Sequence, residues 1–335
     1  MPLAVRFRAL GGPDVLSVDE VDTPEPGPGE VRIRTRALAL NRADVMFRTG
    51  THFFEPRFPQ ATGLEAAGTV DAVGPDVAGL AVGDRVSVVP AFAVPDYPLH
   101  GELVLAPARA VVKHPDRLSW EEAAALWMAY ATAYGGLVDI AGLRAGDVVV
   151  VSAASSSVGL AALQIAAMIG ATPIALSRTS DKRDELLAAG ASAVIATGEE
   201  DLRGRLADIT GGAGVDVVFD PVGGPLLSEV AEAAAEYATI VIYGALSDSP
   251  TTLPVLALLQ HRLTLRGYDV VEVVGDDTRL ARAVAFINHG ITTGALRPTV
   301  DRTFALSAIA DAYTYLESNA QVGKVVITMP QTDTT

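Results

Sequence analysis

The sequence predicts an α/β protein in which a doubly wound parallel sheet is carried on a β-rich domain. Two observations lead there. From Val148 to Tyr243, short runs that are apolar on both faces alternate with helical runs, the pattern of buried strands joined by crossover helices. From residue 1 to about 120, short alternating or apolar runs at 30–39, 68–73, 85–89 and 101–106 are separated by Pro and Gly clusters, as in a β-rich domain with tight turns.

The chain of 335 residues is long enough for two domains, each burying its own core. Its net charge of -15, with no dense cluster of Lys and Arg, repels phosphate backbones and anionic lipid heads, so nucleic acid and membrane surfaces are not expected partners. Residues 1–12 lack the apolar core of a secretory signal, and the longest apolar stretch, 161–176, is interrupted by Gln164, Gly170 and Pro173; a cytoplasmic protein without a membrane span is expected. The absence of cysteine excludes disulfides, thiol nucleophiles, thiolate zinc sites and iron-sulfur clusters.

In chain order, residues 23–29 (TPEPGPG) read as loop, because neither a helix nor a central strand tolerates that density of Pro and Gly. The character changes at Ser119, a plausible N-cap whose partner Glu122 completes a capping box, and the domain boundary is placed there. Strands follow at 148–152, 172–176, 193–195, 215–219 and 239–243, with helices at 156–169, 181–189, near 201–208 and at 226–236. A strand near 263–268, a helix at about 278–288 and a strand at 325–329 complete the pattern, with most of this last segment assigned back to the first domain. The expected division is therefore 1–122, 123–262, and a return segment 263–335 that completes the sheet edge and the first domain, with residues 331–335 as a disordered tail.

The segment 148–166 (VVVVSAASSSVGLAALQIA) is a buried strand, a turn of very small residues and a helix. This geometry aims free backbone N–H groups at a pyrophosphate. The places of a Gly-x-Gly-x-x-Gly fingerprint are taken by Ala154, Ser156 and Gly159, and the hydroxyls of Ser155, Ser156 and Ser157 can add phosphate donors. A plain helix N-cap is the alternative reading. At the end of the next strand, where an NAD enzyme places an acidic residue, stand Ser177, Arg178 and Thr179, followed by Lys182. A cationic, hydroxyl-rich strand end suits a 2'-phosphate, so NADPH is the expected cofactor; a solvated arginine is the alternative.

Seven motifs in order then carry a resemblance over essentially the whole chain: 40–50 (LNRADVMFRTG), 63–68 (GLEAAG), 127–135 (WMAYATAYG), 153–159 (AASSSVG), 219–224 (FDPVGG), 242–246 (IYGAL) and 323–327 (GKVVI). The sequence resembles the medium-chain dehydrogenase/reductase superfamily, and within it the zinc-independent quinone oxidoreductase, or zeta-crystallin-like, branch. The resemblance implies a GroES-like β-rich substrate domain interrupted by a Rossmann doubly wound parallel sheet, with cofactor in the cleft between them and a homodimer formed through the strand near 263–268. It places Asn41 and Thr132 near the nicotinamide, Val158 at the pyrophosphate turn and Val222 near the adenosine. Tyr243, Gly244, Ala245 and Leu246 would line the nicotinamide side, with Asn319 and Lys324 nearby; for Tyr243 and Lys324 an ordinary strand-end role is the alternative.

Zinc-containing relatives carry a ligand cysteine where Asn41 stands and a histidine where Leu64 stands; only Glu65 is retained, and the five histidines show no ligand spacing. No metal is expected. Without a Lewis acid, substrates that accept hydride readily remain, namely quinones and α,β-unsaturated carbonyls. His52 occupies the place after the Arg-x-Gly motif where many relatives carry tyrosine, which makes it a candidate proton donor, a surface or packing residue being the alternative. Two other functions stay open: an enoyl-thioester reductase of a biosynthetic pathway, and a non-catalytic NADPH-binding crystallin-like protein.

Overall fold

The computed structural model describes residues 1–329; the tail expected at 331–335 lies outside them. The chain divides into two compact units, one comprising Met1–Met128, Val274–Ala281 and the chain from Pro298 onward, the other Ala129–Val273 and Arg282–Arg297. The exchange falls inside the helix Trp127–Tyr134, later than the change of composition at Ser119. Packing explains the difference. The helix Trp120–Ala124, opened by the capping box of Ser119 and Glu122, packs on the strands Glu30–Ala39 and Glu65–Val73 and so stays with the first unit. Later in the chain, Phe286 packs its ring on Tyr134 at 5.1 Å, and Gly290 leaves room for Leu296 and Met168, which ties 282–297 to the second unit.

In the second unit six parallel strands stand in the order Ala193–Ala196, Thr172–Ser177, Val148–Val151, Val215–Asp220, Ala234–Ile242, Thr264–Gly267. Their chain order is thus 3-2-1-4-5-6, the doubly wound Rossmann arrangement, reversing direction between Val148–Val151 and Val215–Asp220. Val150, Ile174, Ile195, Val218 and Ile240 are wholly buried and form one core with Leu206 and Leu227. The strand Thr264–Gly267 ends the sheet with a partner on one side only. The helix just before it, Val255–His261, leaves Leu256 82% and Leu259 72% exposed.

One stretch departs from the local pattern. The Ala-rich run through residue 236 reads as helix, yet the helix is Pro225–Glu232 and the strand Ala234–Ile242 begins at once. Val215 pairs with Ala234 but Val217 with Thr239, so the strand bulges in between, with Tyr237 in the left-handed region at φ 66. Pairing in the sheet overrides alanine's helix propensity.

The first unit is built on the strand Glu30–Ala39. It runs antiparallel to Glu65–Val73 along one edge, and to Leu103–Pro107 and Lys324–Thr328 along the other. Ala39 pairs with Glu65 on one side and Val326 on the other, so the residues just beyond Ala39 meet the starts of two distant strands. Phe7, Phe47, Leu64 and Val94 pack as a core cluster beside this end, Phe7 and Phe47 edge to face at 88°. Among the described residues no helix is long and apolar enough to cross a membrane.

Candidate active site

In the first unit, strand register gathers Asn41, Glu65 and Lys324 at one point. Lys324 is 2% exposed; its Nζ donates to Asn41 Oδ1 at 2.5 Å and to Glu65 Oε1 at 2.5 Å. The other oxygen of Glu65 accepts from the backbone N–H of Met128 at 2.9 Å. Asn41 is the N-cap of the helix Arg42–Thr49, and Asp44 reaches back to accept from the Asn41 backbone N–H at 2.8 Å. A buried charge left without its partner costs about 3–5 kcal/mol, so Lys324 and Glu65 depend on each other for burial.

Asp44 carries the strongest titration signature of this cluster. Burial pushes its carboxyl up to about 7; the Glu65 charge adds to the rise, while the Asn41 N–H and the Lys324 ammonium hold it back. His100 is buried behind this cluster, its Nε2 at 3.4 Å from the Ala39 carbonyl, and burial lowers its pKa to about 4, so the ring is neutral. Gly63 is obligatory here: its φ is +113, and a Cβ would collide with the His100 ring.

His52 lies in a loop of aromatic residues. Its ring stacks on Phe54 at 5.6 Å and meets Phe47 edge-on at 6.0 Å, and its Nδ1 accepts from the Phe54 N–H at 3.2 Å. Phe53, on the same loop, is 86% exposed. Asn319, left-handed at φ 58, accepts on Oδ1 from Arg42 at 2.5 Å, which engages it with the first helix.

In the second unit, the turn after Val148–Val151 leads directly into a capped helix. Ala153 takes a left-handed φ of 47, and Ser156 caps the helix Ser157–Ile169 by accepting from the Gly159 N–H at 3.0 Å. A Cβ on Gly159 would stand 2.6 Å from the Ala154 carbonyl oxygen, so only glycine lets the helix approach the turn. Ser156 is thus both cap and turn residue, with its hydroxyl hydrogen left to donate. Val158 is half-buried in the first helical turn and Thr132 is buried in its own helix.

At the end of Thr172–Ser177, Ser177 is half-buried and Arg178 exposed; no hydrogen bond or ion pair ties the Arg178 guanidinium to another described residue. Lys182 places Nζ 3.5 Å from Ser155 Oγ, joining this strand end to the small-residue turn. Arg183, by contrast, is held by Glu200 at 2.8 Å.

Across the sheet reversal, the buried Ser152 donates to Asp220, whose carboxylate also accepts from the backbone N–H groups of Val222 at 2.8 Å and Gly223 at 2.9 Å. Tyr243 stacks on Phe219 at 4.0 Å; its buried hydroxyl has no hydrogen-bond partner among the described residues, and burial raises its pKa well above the usual tyrosine value. Gly244, Ala245 and Leu246 run along the 221–222 turn, the Leu246 N–H donating to the Pro221 carbonyl at 3.0 Å. The Ser152–Asp220 clasp escaped the sequence reading. Its signal was there, because both residues lie at the carboxyl ends of the two strands flanking the reversal, where ligands of such sheets bind.

Residues 27–116 match the alcohol dehydrogenase GroES-like domain family and residues 157–289 the zinc-binding dehydrogenase family. A quinone oxidoreductase of Pseudomonas aeruginosa is 32% identical over 331 residues, covering 98% of this chain and 99% of that protein. The chain belongs to the medium-chain dehydrogenase/reductase superfamily, in its quinone oxidoreductase branch. Among solved structures, an NAD-dependent alcohol dehydrogenase superposes with a TM-score of 0.88 at 34% identity over 98% of this chain and 100% of its own. The Escherichia coli quinone oxidoreductase complexed with NADPH does so with a TM-score of 0.87 at 28% identity, over 97% and 99%.

The zinc named in the second family description does not fit this member's residues. Leu64 offers no donor atom, and the oxygens of Asn41 and Glu65 are already committed to the Lys324 ammonium and the Met128 amide. Among the described residues no group of three or more His, Asp or Glu is arranged to hold a metal ion. A fixed ammonium thus sits against the Asn41 and Glu65 side chains.

Proposed function

We propose that this oxidoreductase is an NADPH-dependent reductase that delivers hydride to a quinone or an α,β-unsaturated carbonyl without a metal. The buried Lys324 ammonium, seated on Asn41 and Glu65, carries the reading. It supplies fixed positive charge where a Lewis acid would otherwise be needed, which suits substrates whose own conjugation spreads the incoming electron pair. When bound, the dihydronicotinamide supplies the hydride. Asn41 and Lys324 orient the reactants and stabilise the developing enolate or quinol anion. The capped turn 153–157 with Gly159, together with Val158 and Val222, fits a pyrophosphate and adenosine. Arg178, without a partner among the described residues and flanked by Ser177 and Lys182, fits a 2'-phosphate.

The test is an anaerobic screen of NADPH and NADH oxidation against quinones, enones and enoyl thioesters, in the presence of a strong chelator. Turnover of quinones or enones with NADPH, unaffected by chelator, is expected. Preference for an enoyl thioester would move the protein to biosynthetic reduction, and cofactor binding with no turnover on any class would overturn the enzymatic reading.

His52 serves as an aid to proton delivery at most. Its Nδ1 is committed to the Phe54 amide and its ring to the aromatic loop, while solvent can protonate the product anion. His52→Ala is expected to lower kcat by less than about tenfold with KM little changed, short of the 10²- to 10⁴-fold of a true general acid. Loss of a limb near the histidine pKa from the pH profile, with a fall of that size, would make it the donor.

The single-partnered strand Thr264–Gly267 and the exposed Leu256 and Leu259 beside it support a homodimer in which the sheet continues into a second copy. Light scattering at micromolar concentration should give twice the chain mass; a clean monomer would count against the arrangement.

A further inference from the structure

The position of Glu65 demands two hydrogen-bond acceptors at once. Its neighbours, the Lys324 ammonium and the Met128 backbone N–H, can only donate. A carboxylate satisfies both. Glutamine has a single oxygen and would turn its NH2 toward one of the two donors, and aspartate is a methylene too short to span them. The same constraint passes to Asn41. Because Lys324 has no lone pair, the Asn41 oxygen must face it, so the Asn41 NH2 faces the opposite way. One of its hydrogens lies toward the Ala39 carbonyl at a long 3.4 Å, and the other has no acceptor among the described residues. The third hydrogen of the Lys324 ammonium is likewise without an acceptor among them.

We propose that Glu65 is a positioning residue which, through Lys324, locks the Asn41 amide with its N–H donor toward the ligand. The site then selects an acceptor oxygen, either a ribose hydroxyl of the dinucleotide or the carbonyl oxygen of the substrate. The proposal rests on the reading of Asn41 as a residue that meets cofactor or substrate, and it adds a reason why residue 65 is glutamate in a chain with no use for a metal ligand there.

The test is a double-mutant cycle in the full-length protein with Glu65→Gln and Asn41→Ala, measured as kcat/KM with NADPH and 1,4-naphthoquinone. NADPH affinity is measured separately by fluorescence. If Glu65 works through Asn41, each single change lowers kcat/KM about tenfold, the value of one hydrogen bond, and the double variant loses no more than Asn41→Ala alone. A loss seen in NADPH affinity assigns the acceptor to the ribose; a loss confined to quinone turnover assigns it to the substrate carbonyl. A merely structural role would leave the two losses multiplicative, which overturns the proposal, as does Glu65→Gln within twofold of wild type.

Should Glu65→Gln fail to fold, Glu65→Asp, which keeps the charge for Lys324 but is too short to span both donors, enters the same cycle with the same expectation. The side-chain amide of Asn41, labelled with ¹⁵N in the unliganded protein, gives a reading free of turnover: slow hydrogen exchange in wild type and fast exchange in Glu65→Gln are expected, and equal exchange would sink the lock. If wild type neither binds nor oxidises a nicotinamide cofactor, the functional reading falls and this assignment with it. An active wild type with multiplicative losses defeats this assignment alone.

Discussion

Arg178→Ala is expected to weaken NADPH binding about tenfold to a hundredfold and to leave NADH nearly untouched, the range following from roughly 1.5–3 kcal/mol for a charge-assisted hydrogen bond. Only NADPH carries the 2'-phosphate, and Arg178 is an exposed guanidinium at the strand end with no partner among the described residues to give up. Exposure also means screening, so the loss should shrink toward its lower bound as salt rises above physiological strength. Titration of both cofactors into wild type and variant decides the matter. The similarity to an NAD-dependent alcohol dehydrogenase makes the NADH arm essential: equal losses for both cofactors would show that Arg178 supports the turn rather than the phosphate.

Folding stability is expected to fall by about 3 kcal/mol as pH drops from 6.5 to 4, at about 1.36 kcal/mol per pH unit for a net difference of one proton. Three buried groups set this window. His100 and His114 are each lowered from 6.5 to about 4, chiefly by burial. In that interval the unfolded chain binds two protons that the folded protein refuses, so their stabilisation is complete above 6.5 and is lost on acidification. Asp44 acts oppositely: raised from 3.8 to about 7, it binds a proton in the folded state first, so its contribution declines as pH rises through the same interval. Two histidines against one aspartate leave one net proton. Urea unfolding at several pH values measures the slope. Asp44→Asn should roughly double it and His114→Phe should flatten it; a stability independent of pH between 4 and 6.5 would contradict the burial of these rings.

Much of the fold was legible because the signals are local. The strand Val148–Val151, its small-residue turn and the helix Ser157–Ile169 follow from apolar runs and an N-cap within twenty-odd consecutive residues, and the Ser119 capping box needs only four. Where a partner strand decided the outcome, the local reading failed, as at Ala234–Ile242, whose bulged pairing with Val215–Asp220 turned a run of good helix formers into a strand. The site was less legible than the fold. Asn41 and Lys324 entered through resemblance to a family, Glu65 only as the remnant of a metal position, and Asp44 and the Ser152–Asp220 clasp not at all.

By itself, then, the sequence determined the secondary elements with strong periodicity, the parallel order of the second unit, the absence of thiol chemistry and the cationic end of the second Rossmann strand. These depend on residue type and on neighbours a few positions away. Only the tertiary structure decided that Lys324 meets Asn41 across 283 residues of chain and Glu65 across 259, because antiparallel register on both edges of Glu30–Ala39 brings them together. It also decided that Asp44 titrates near neutrality and that two histidines stay uncharged. Burial sets those properties, and burial is a property of the packed chain that no single stretch of residues carries.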